Sequence, residues 1–354
     1  MADLTEKELE NMKNHKYQST GYTTLDNLMN PFWIKAASYL PYAYTPNMVT
    51  VSGLFCQFVS IIYIAFHDLT FSQQFPGYVY IFWAFMLFMA QTLDAIDGKH
   101  ARNTKRSSSL GQLMDHGCDS MDNFLFCIVL SQAYLFGNSI HTLWLQILIQ
   151  VPFYTYTLEE HFAGILRTQI NGIGVTECQI ILMGFLILSG IFGKPLIFFS
   201  IFGIRIIYPI VYSVVATTIG FSIYLIVLDS KDFKDASNKF KPLTTMIVFI
   251  IAELLSYKLN LYKTKPLLVI LLNGFYYSLF TCKLIISNMA KRDIIIFDID
   301  IITYVIGILT CVFIESKVVE FFVLIGLLVW LCYRYYMQII YSIFKMLDYL
   351  KIPF

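Results

Sequence analysis

Residues 93–123 read LDAIDGKHARNTKRSSSLGQLMDHGCDSMDN, and apolar runs at 78–95 and 112–136 lead into and out of this stretch. A charged connection between two runs of about 20 apolar residues is what a pair of bilayer-crossing helices requires. Asp94 and Asp97 are three apart at the end of the first run, and Asp115 and Asp119 are four apart near the start of the second. Each pair therefore shares one helix face. Two neighbouring helices then offer four carboxylates to the same place, a cage of hard oxygen donors suited to Mg2+ or Mn2+. A pair of such ions can clamp the attacking and leaving oxygens of a phosphoryl transfer. Gly98 and Gly111 remove side chains where a backbone or a diphosphate must come close, and Arg102 offers a bidentate donor to phosphate.

A single aspartate here would read as a solvated helix-terminal charge paired with Lys99, Arg102 or Lys105. Four at this spacing repel one another without a cation, so the group reads as functional. An EF-hand needs acidic residues at alternate positions, and this segment lacks that pattern. Zinc would find only His116 and Cys118, which point different ways on a helix.

The surroundings agree with a lipid solvent. The chain has 354 residues, 57% hydrophobic, 17% aromatic and 14% charged, where a soluble domain carries about 25% charged residues. A net charge of +1 gives no pull towards nucleic acid. The seven cysteines are scattered and form no CxxC pair or disulfide framework. Residues 1–20 are polar without an apolar core, so no cleavable signal peptide is expected.

Ten spans are expected, near 47–66, 78–95, 112–136, 139–157, 175–193, 204–228, 243–258, 265–288, 299–315 and 318–343. The stretch 25–40, LDNLMNPFWIKAASYL, reads as an interfacial amphipathic helix ended by Pro41 and Pro46. The fold class is thus an all-α integral membrane protein. A polar loop at 229–242 divides it, giving an N-terminal segment 1–45, a front part 46–229 and a back part 230–354 that is nearly pure apolar helix. Lys99, Arg102, Lys105, Arg106, Lys291, Arg292 and Lys345 fall on the side of the N-terminus, which the positive-inside rule makes cytosolic. Lys194, Lys258, Lys263, Lys265 and Lys317 fall opposite, and Glu253 stands alone within the seventh span, without an evident partner.

The pattern DxxDGxxARx8GxxxDxxxD, complete from Asp94 to Asp119, resembles the signature of the CDP-alcohol phosphotransferases. The fuller wording, with GYTTLDNLMNPFW, TPNMVT and LEEHFAGILRTQINGIGVTE, is similar to their choline/ethanolamine branch. His100 and Asn103 stand where that branch carries Gln and Arg, and Ser109 where it carries Pro. The resemblance implies metal ligation by Asp94, Asp97, Asp115 and Asp119, with Asp119 also drawing the proton from the acceptor hydroxyl. It implies that Gly98, Ala101, Arg102 and Gly111 cradle the CDP moiety and that Asn47 lines the nucleotide side. The reaction it implies is attack of diacylglycerol on CDP-choline or CDP-ethanolamine with release of CMP, in a homodimer of the endoplasmic reticulum or Golgi membrane.

Glu159, Glu160, His161 and Glu177 form a second polar cluster. His161 is a second candidate for the base, since an imidazole titrates in the right range. The glutamates would orient it or meet the cationic head, Glu177 among the substrate-binding residues. Relatives using inositol or glycerol phosphate would share the front part but have about six spans. A transporter would show inverted repeats and broken helices, which the sequence lacks.

Overall fold

The computed structural model describes residues 3–16, 18–19, 21–137, 139–166, 169–170, 172–193, 200–202, 204–205, 212, 220, 236–293, 299–314 and 316–352. In chain order it contains α1 (Glu6–Lys13), α2 (Thr24–Ser38), α3 (Pro46–His67), α4 (Gly77–Asn103), α5 (Ser109–Ala133), α6 (Ile140–Ala163) and α7 (Val175–Phe192). After these come α8 (Ala236–Lys258), α9 (Leu261–Thr264), α10 (Pro266–Ala290), α11 (Ile299–Phe313), α12 (Lys317–Tyr335), a π-helical turn at Tyr336–Ile340 and α13 (Tyr341–Leu350). Two antiparallel pairs of two-residue strands, Gln169–Ile170 with Ile173–Gly174 and Ser200–Ile201 with Ile204–Arg205, are the only sheet among the described residues.

Nine of the ten expected spans fall on helices. The remaining one, 204–228, lies outside the described residues except for 204–205, 212 and 220, and its described start, Ile204–Arg205, is a strand. Arg167 and most of the loop at 229–242 also lie outside them. Among the described residues, five helical runs are long and apolar enough to cross a membrane: α3, α4, α7, α10 and the continuous run 317–350. Helices α5, α6 and α8 have 25, 24 and 23 residues, enough to span, but they carry more polar side chains. The chain is a helical membrane protein.

Local chemistry sets the helix starts around the acidic segment. Thr45 caps α3, its hydroxyl accepting from the Met48 amide at 3.3 Å, with Pro46 in the first turn. Ser108 caps α5 by accepting from Gly111 at 3.2 Å. Thr23 and Asp26 form a capping box at the start of α2. Helix α4 does not end near 95, as its hydropathy implied, but continues to Asn103, so Asp97, Gly98, Ala101 and Arg102 are helical and not part of a loop. At 27 residues it is about 40 Å long, longer than the roughly 30 Å hydrocarbon layer, and its charged last turns project beyond it.

Close helix packing uses small residues, as expected where lipid offers no hydrophobic drive between helices. A Cβ at Gly53 would sit 3.3 Å from the Ala90 carbonyl, so α3 and α4 cross nearly backbone to backbone. Gly77 and Gly190 make the same kind of contact between α4 and α7. Helix α10 is the most enclosed, with 89% of its apolar window buried. It packs on α5, α6 and α12, and one core cluster runs from front to back.

Polar groups inside this core are paired in ways the sequence left open. The Tyr262 hydroxyl lies between Glu253 and the Gln146 side chain, so Glu253 does have a partner. Lys265 and Lys317 both meet buried Glu320, at 2.5 and 2.8 Å. Asp300, fully buried, accepts from Lys283 at 2.5 Å, Arg334 at 2.5 Å and Gln338 at 2.8 Å. The π-helical turn carries Gln338.

The polar N-terminus forms α1, which hydropathy does not suggest. Its Glu8 receives Arg292 Nε and Nη2 at 2.5 and 2.7 Å, and Asn11 donates to the Ala290 carbonyl at 3.0 Å. Lys345 reaches Asp3 at 2.7 Å, and Tyr349 donates to Glu10 at 2.7 Å. Helix α2 buries Trp33 and Ala37 and exposes Leu28, Phe32 and Ile34, the two-faced profile of an interfacial helix.

Two measurements check this framework. Asp300→Ala leaves the buried Lys283 and the half-buried Arg334 without their shared carboxylate and should cost about 3–5 kcal/mol, read as a lower thermal midpoint in detergent. Hydrogen bonding from Arg292, the largest influence, holds the Glu8 carboxyl down at about 2, below its usual 4.5. Because the folded value is depressed, the contact contributes fully above about pH 4.5 and is lost as pH falls through about 2. Glu8→Gln should flatten the acid limb of the stability curve in that window.

Candidate active site at the head of helices α3, α4 and α5

The site is built where α4 ends and α5 begins, with α3 packed against both. Carboxylate oxygens of Asp94, Asp97 and Asp115 lie within 4.8 Å of one another. Asp94 is exposed, Asp115 half-buried and Asp97 buried. Asp97 accepts from the Thr50 hydroxyl of α3 at 2.5 Å, which fixes its rotamer. Asp119 follows on the next turn of α5, in electrostatic reach of Asp94 and Asp97. The sequence brought four carboxylates to one cage; the structure brings three into direct convergence and sets the fourth one turn deeper.

Three acidic side chains this close repel unless a positive charge sits between them. The nearest lysine does not fill that place. Lys99 Nζ turns away to the Ala95 carbonyl at 3.1 Å and lies over the rings of Tyr22 and Trp33, 5.4 and 5.2 Å from their centroids. The donor set, all carboxylate oxygen with a supporting hydroxyl, fits a hard divalent cation. The cluster is thus arranged to bind one.

The glycines leave room at its rim. A Cβ at Gly98 would meet only the Arg102 guanidinium, at 3.6 Å, and one at Gly111 only the Ser108 hydroxyl, at 3.8 Å. The protein's own packing does not demand either glycine, so the space they leave is open to a ligand. Arg102 and Ala101 lie one turn beyond Gly98, with Arg102 exposed. Asn47 is buried one turn before Thr50 on α3.

His100 and Arg106 brace this end of α4. His100, nearly fully buried, bonds the Tyr44 carbonyl at 2.6 Å. Arg106 donates to the Tyr42 carbonyl at 2.9 Å and stacks on that ring at 3.9 Å. The residue at position 100, one of the departures noted in the sequence, thus holds the 41–45 turn against the site.

The second polar cluster divides. Glu160 is buried, accepts from Gln112 of α5 at 2.8 Å and stands 4.0 Å from His116. The other nitrogen of His116 is 4.0 Å from Asp115. His161, the next residue on α6, packs edge-on to Phe162 and senses Asp293 instead. Glu177 accepts from the Gly174 and Leu25 amides at 2.8 and 3.3 Å, which ties α7 to the start of α2. The sequence weighed His116 only as a zinc ligand and missed its place beside Asp115. No local signal records a contact made across α5 and α6.

Residues 43–202 match the family model described as CDP-alcohol phosphatidyltransferase. An uncharacterized class-I protein of that family from Dictyostelium discoideum is 35% identical over 195 residues, 54% of this chain and 47% of its own length. Cholinephosphotransferase 1 of Bos taurus is 28% identical over 310 residues, 83% of this chain and 75% of its own. Choline/ethanolaminephosphotransferase 1 of Saccharomyces cerevisiae is 29% identical over 195 residues, 55% of this chain and 50% of its own. The chain therefore spans about half the length of the first and third relatives and three-quarters of the second. Residues 43–202 thus carry a match to the CDP-alcohol phosphatidyltransferase family model, and the named relatives to which the chain is similar are choline and choline/ethanolamine phosphotransferases.

The cage is open to test without turnover. Mn2+ added to the purified chain should give a bound spectrum by electron paramagnetic resonance. Asp97→Asn or Asp115→Asn should weaken binding by about tenfold or more, and Thr50→Val by less. Equal Mn2+ affinity in all four proteins would refute the cage.

Proposed function

We propose that this chain transfers phosphocholine or phosphoethanolamine from CDP-choline or CDP-ethanolamine to 1,2-diacylglycerol, making phosphatidylcholine or phosphatidylethanolamine and releasing CMP. The observation that carries the reading is the convergence of Asp94, Asp97 and Asp115 at one end of two long helices. There a soluble nucleotide and a lipid can both reach the same point. The branch of the relatives supports diacylglycerol over inositol or glycerol phosphate as the acceptor.

In this reading Arg102, exposed beside Gly98, binds the donor's phosphates, and Gly98, Ala101 and Gly111 let the diphosphate approach the backbone. Asn47 meets the nucleotide side. Asp94, Asp97, Asp115 and Asp119 would hold two Mg2+ or Mn2+ ions, which supply charge neutralisation at the phosphoryl oxygens. Asp119 receives the proton of the attacking hydroxyl. His161 is the second candidate for that role, and His116, between Asp115 and Glu160, has the closer geometry. Glu177 acts in substrate binding, with its hold on α2 as the support.

Ten spans, with the N-terminal segment 1–45, catalytic helices 46–229 and accessory helices 230–354, complete the proposal. The acidic mouth faces the cytosol, since α1 docks at the same end of the bundle as Lys99, Arg102, Lys105, Arg106 and Arg292. The endoplasmic reticulum or Golgi and a homodimer follow from the resemblance alone.

Purified protein given diacylglycerol, Mg2+ or Mn2+, and either CDP-choline or CDP-ethanolamine should release CMP. EDTA should abolish this and added metal restore it. With Asp119→Asn, saturating metal should leave turnover about 100- to 10,000-fold down if the carboxylate takes the proton; rescue by metal would reduce it to a ligand. No CMP release with either donor would overturn the assignment.

A further inference from the structure

Below the cage the polar surface continues. Gln91 lies three residues before Asp94 on α4, and Asp122 three residues after Asp119 on α5. Both sit one turn away from the mouth, about 4.5 Å deeper along their helices. Gln91 is only 5% exposed, yet its Nε2 has no hydrogen-bond partner among the described residues. Asp122 is half-buried, and its Oδ1 is likewise enclosed and unpartnered. The ionisable neighbours of Asp122 are Asp94, Asp119, Cys56 and Cys118, and no basic side chain among the described residues acts on it.

An enclosed amide donor and carboxylate acceptor left unmade are costly within a bundle, so a partner is expected. A single partner serving both would have to accept from the amide and donate to the carboxylate. A phosphate would be repelled by Asp94, Asp119 and Asp122 together. A trimethylammonium group neither donates nor accepts, and a primary ammonium donates but cannot accept. A hydroxyl does both.

The stereochemistry of the transfer selects the same place. In an in-line displacement the attacking oxygen enters opposite the leaving group. With the donor's phosphates held by Arg102 at the mouth, CMP leaves towards the mouth and the nucleophile comes from the deep side. That is the side on which Gln91 and Asp122 stand, and the side from which a lipid arrives.

We propose that Gln91 and Asp122 form the acceptor subsite, holding the primary hydroxyl of the lipid alcohol beneath the cage. The inference rests on the phosphotransferase reading and adds to it a residue pair and a ligand class. Gln91 donates to the hydroxyl oxygen, and Asp122 accepts its proton in a hydrogen bond. Rotation about the lipid's C–O bond then brings the same O–H to Asp119, one turn above.

The test compares diacylglycerol with an analogue in which the free hydroxyl is replaced by hydrogen. The full chain in lipid nanodiscs, with metal and saturating donor, should show a KM for diacylglycerol raised about tenfold or more by Asp122→Leu and by Gln91→Leu. The KM for CDP-choline and CDP-ethanolamine should stay within about twofold, and Asp122→Asn, whose amide oxygen still accepts, should fall between. Equilibrium binding of radiolabelled diacylglycerol against the analogue needs no turnover. Wild type should prefer the hydroxyl, and the leucine variants should lose that preference. If Asp122→Leu does not fold, Asp122→Asn and Gln91→Leu carry the comparison. Unchanged preference in the variants would mean that the pair holds only water and would overturn the proposal. A rise confined to the KM of CDP-ethanolamine would also overturn it and assign the pair to the donor's head. Wild-type protein that binds lipid with this preference but releases no CMP would instead sink the phosphotransferase reading and leave the hydroxyl site standing.

Discussion

Like charges gathered at the end of membrane helices are the constraint around which this molecule is arranged. Asp94, Asp97 and Asp115 are held within 4.8 Å although each would be more stable apart. Their helices must therefore be fixed by contacts made elsewhere. The α3–α4 crossing at Gly53 and Ala90 supplies one such contact, the Thr50–Asp97 hydrogen bond a second, and the His100 and Arg106 bonds to the 41–45 turn a third. The cage is thus preorganised by neutral packing and short polar contacts, while the nearby cation, Lys99, is drawn off to aromatic faces. A site left hungry for positive charge is what a metal-dependent transfer requires.

The back helices take part in that bracing. Helix α10 inserts against α5, with Gly274 closing on Phe124 and Ser278 sharing a hydrogen bond with Ser120 at 2.6 Å. Ser120 neighbours Asp119, so helix α10 touches the turn of α5 that carries the deepest carboxylate of the cage. The apolar appearance of residues 230–354 hides this, because small residues and single hydroxyls do the contacting.

Legibility in the sequence follows physical range. The spans are readable because burial in lipid demands apolar residues at every turn, and the cage is readable because each carboxylate pair is local to one helix. The end of α4 is not, since hydropathy reports contact with lipid, whereas Lys99, Ala101 and Arg102 continue the helix into water. Glu177 looked like part of the second polar cluster. Its spacing three residues after Gly174, just before an apolar run, is also a helix-start signal, and the structure shows it capping α7. The start of α1 is written in the sequence as Thr5 and Glu8, which form a capping box. Only Leu9 and Met12 are buried in it, so hydropathy does not show it, and its anchor, Arg292, is 284 positions away.

That last contact bears on how the chain is made. Helix α1 is synthesised long before Arg292, Lys345 and Tyr349, the side chains that receive it, which emerge only after α2 to α10 are built. Until then α1 can pack only on α5, and its acidic residues stay in water. Docking of α1 is therefore completed only after α13 has been made. It draws α1 against α10 and α13 only when the intervening spans have been inserted in register, so that residues made early are positioned by residues made long after them.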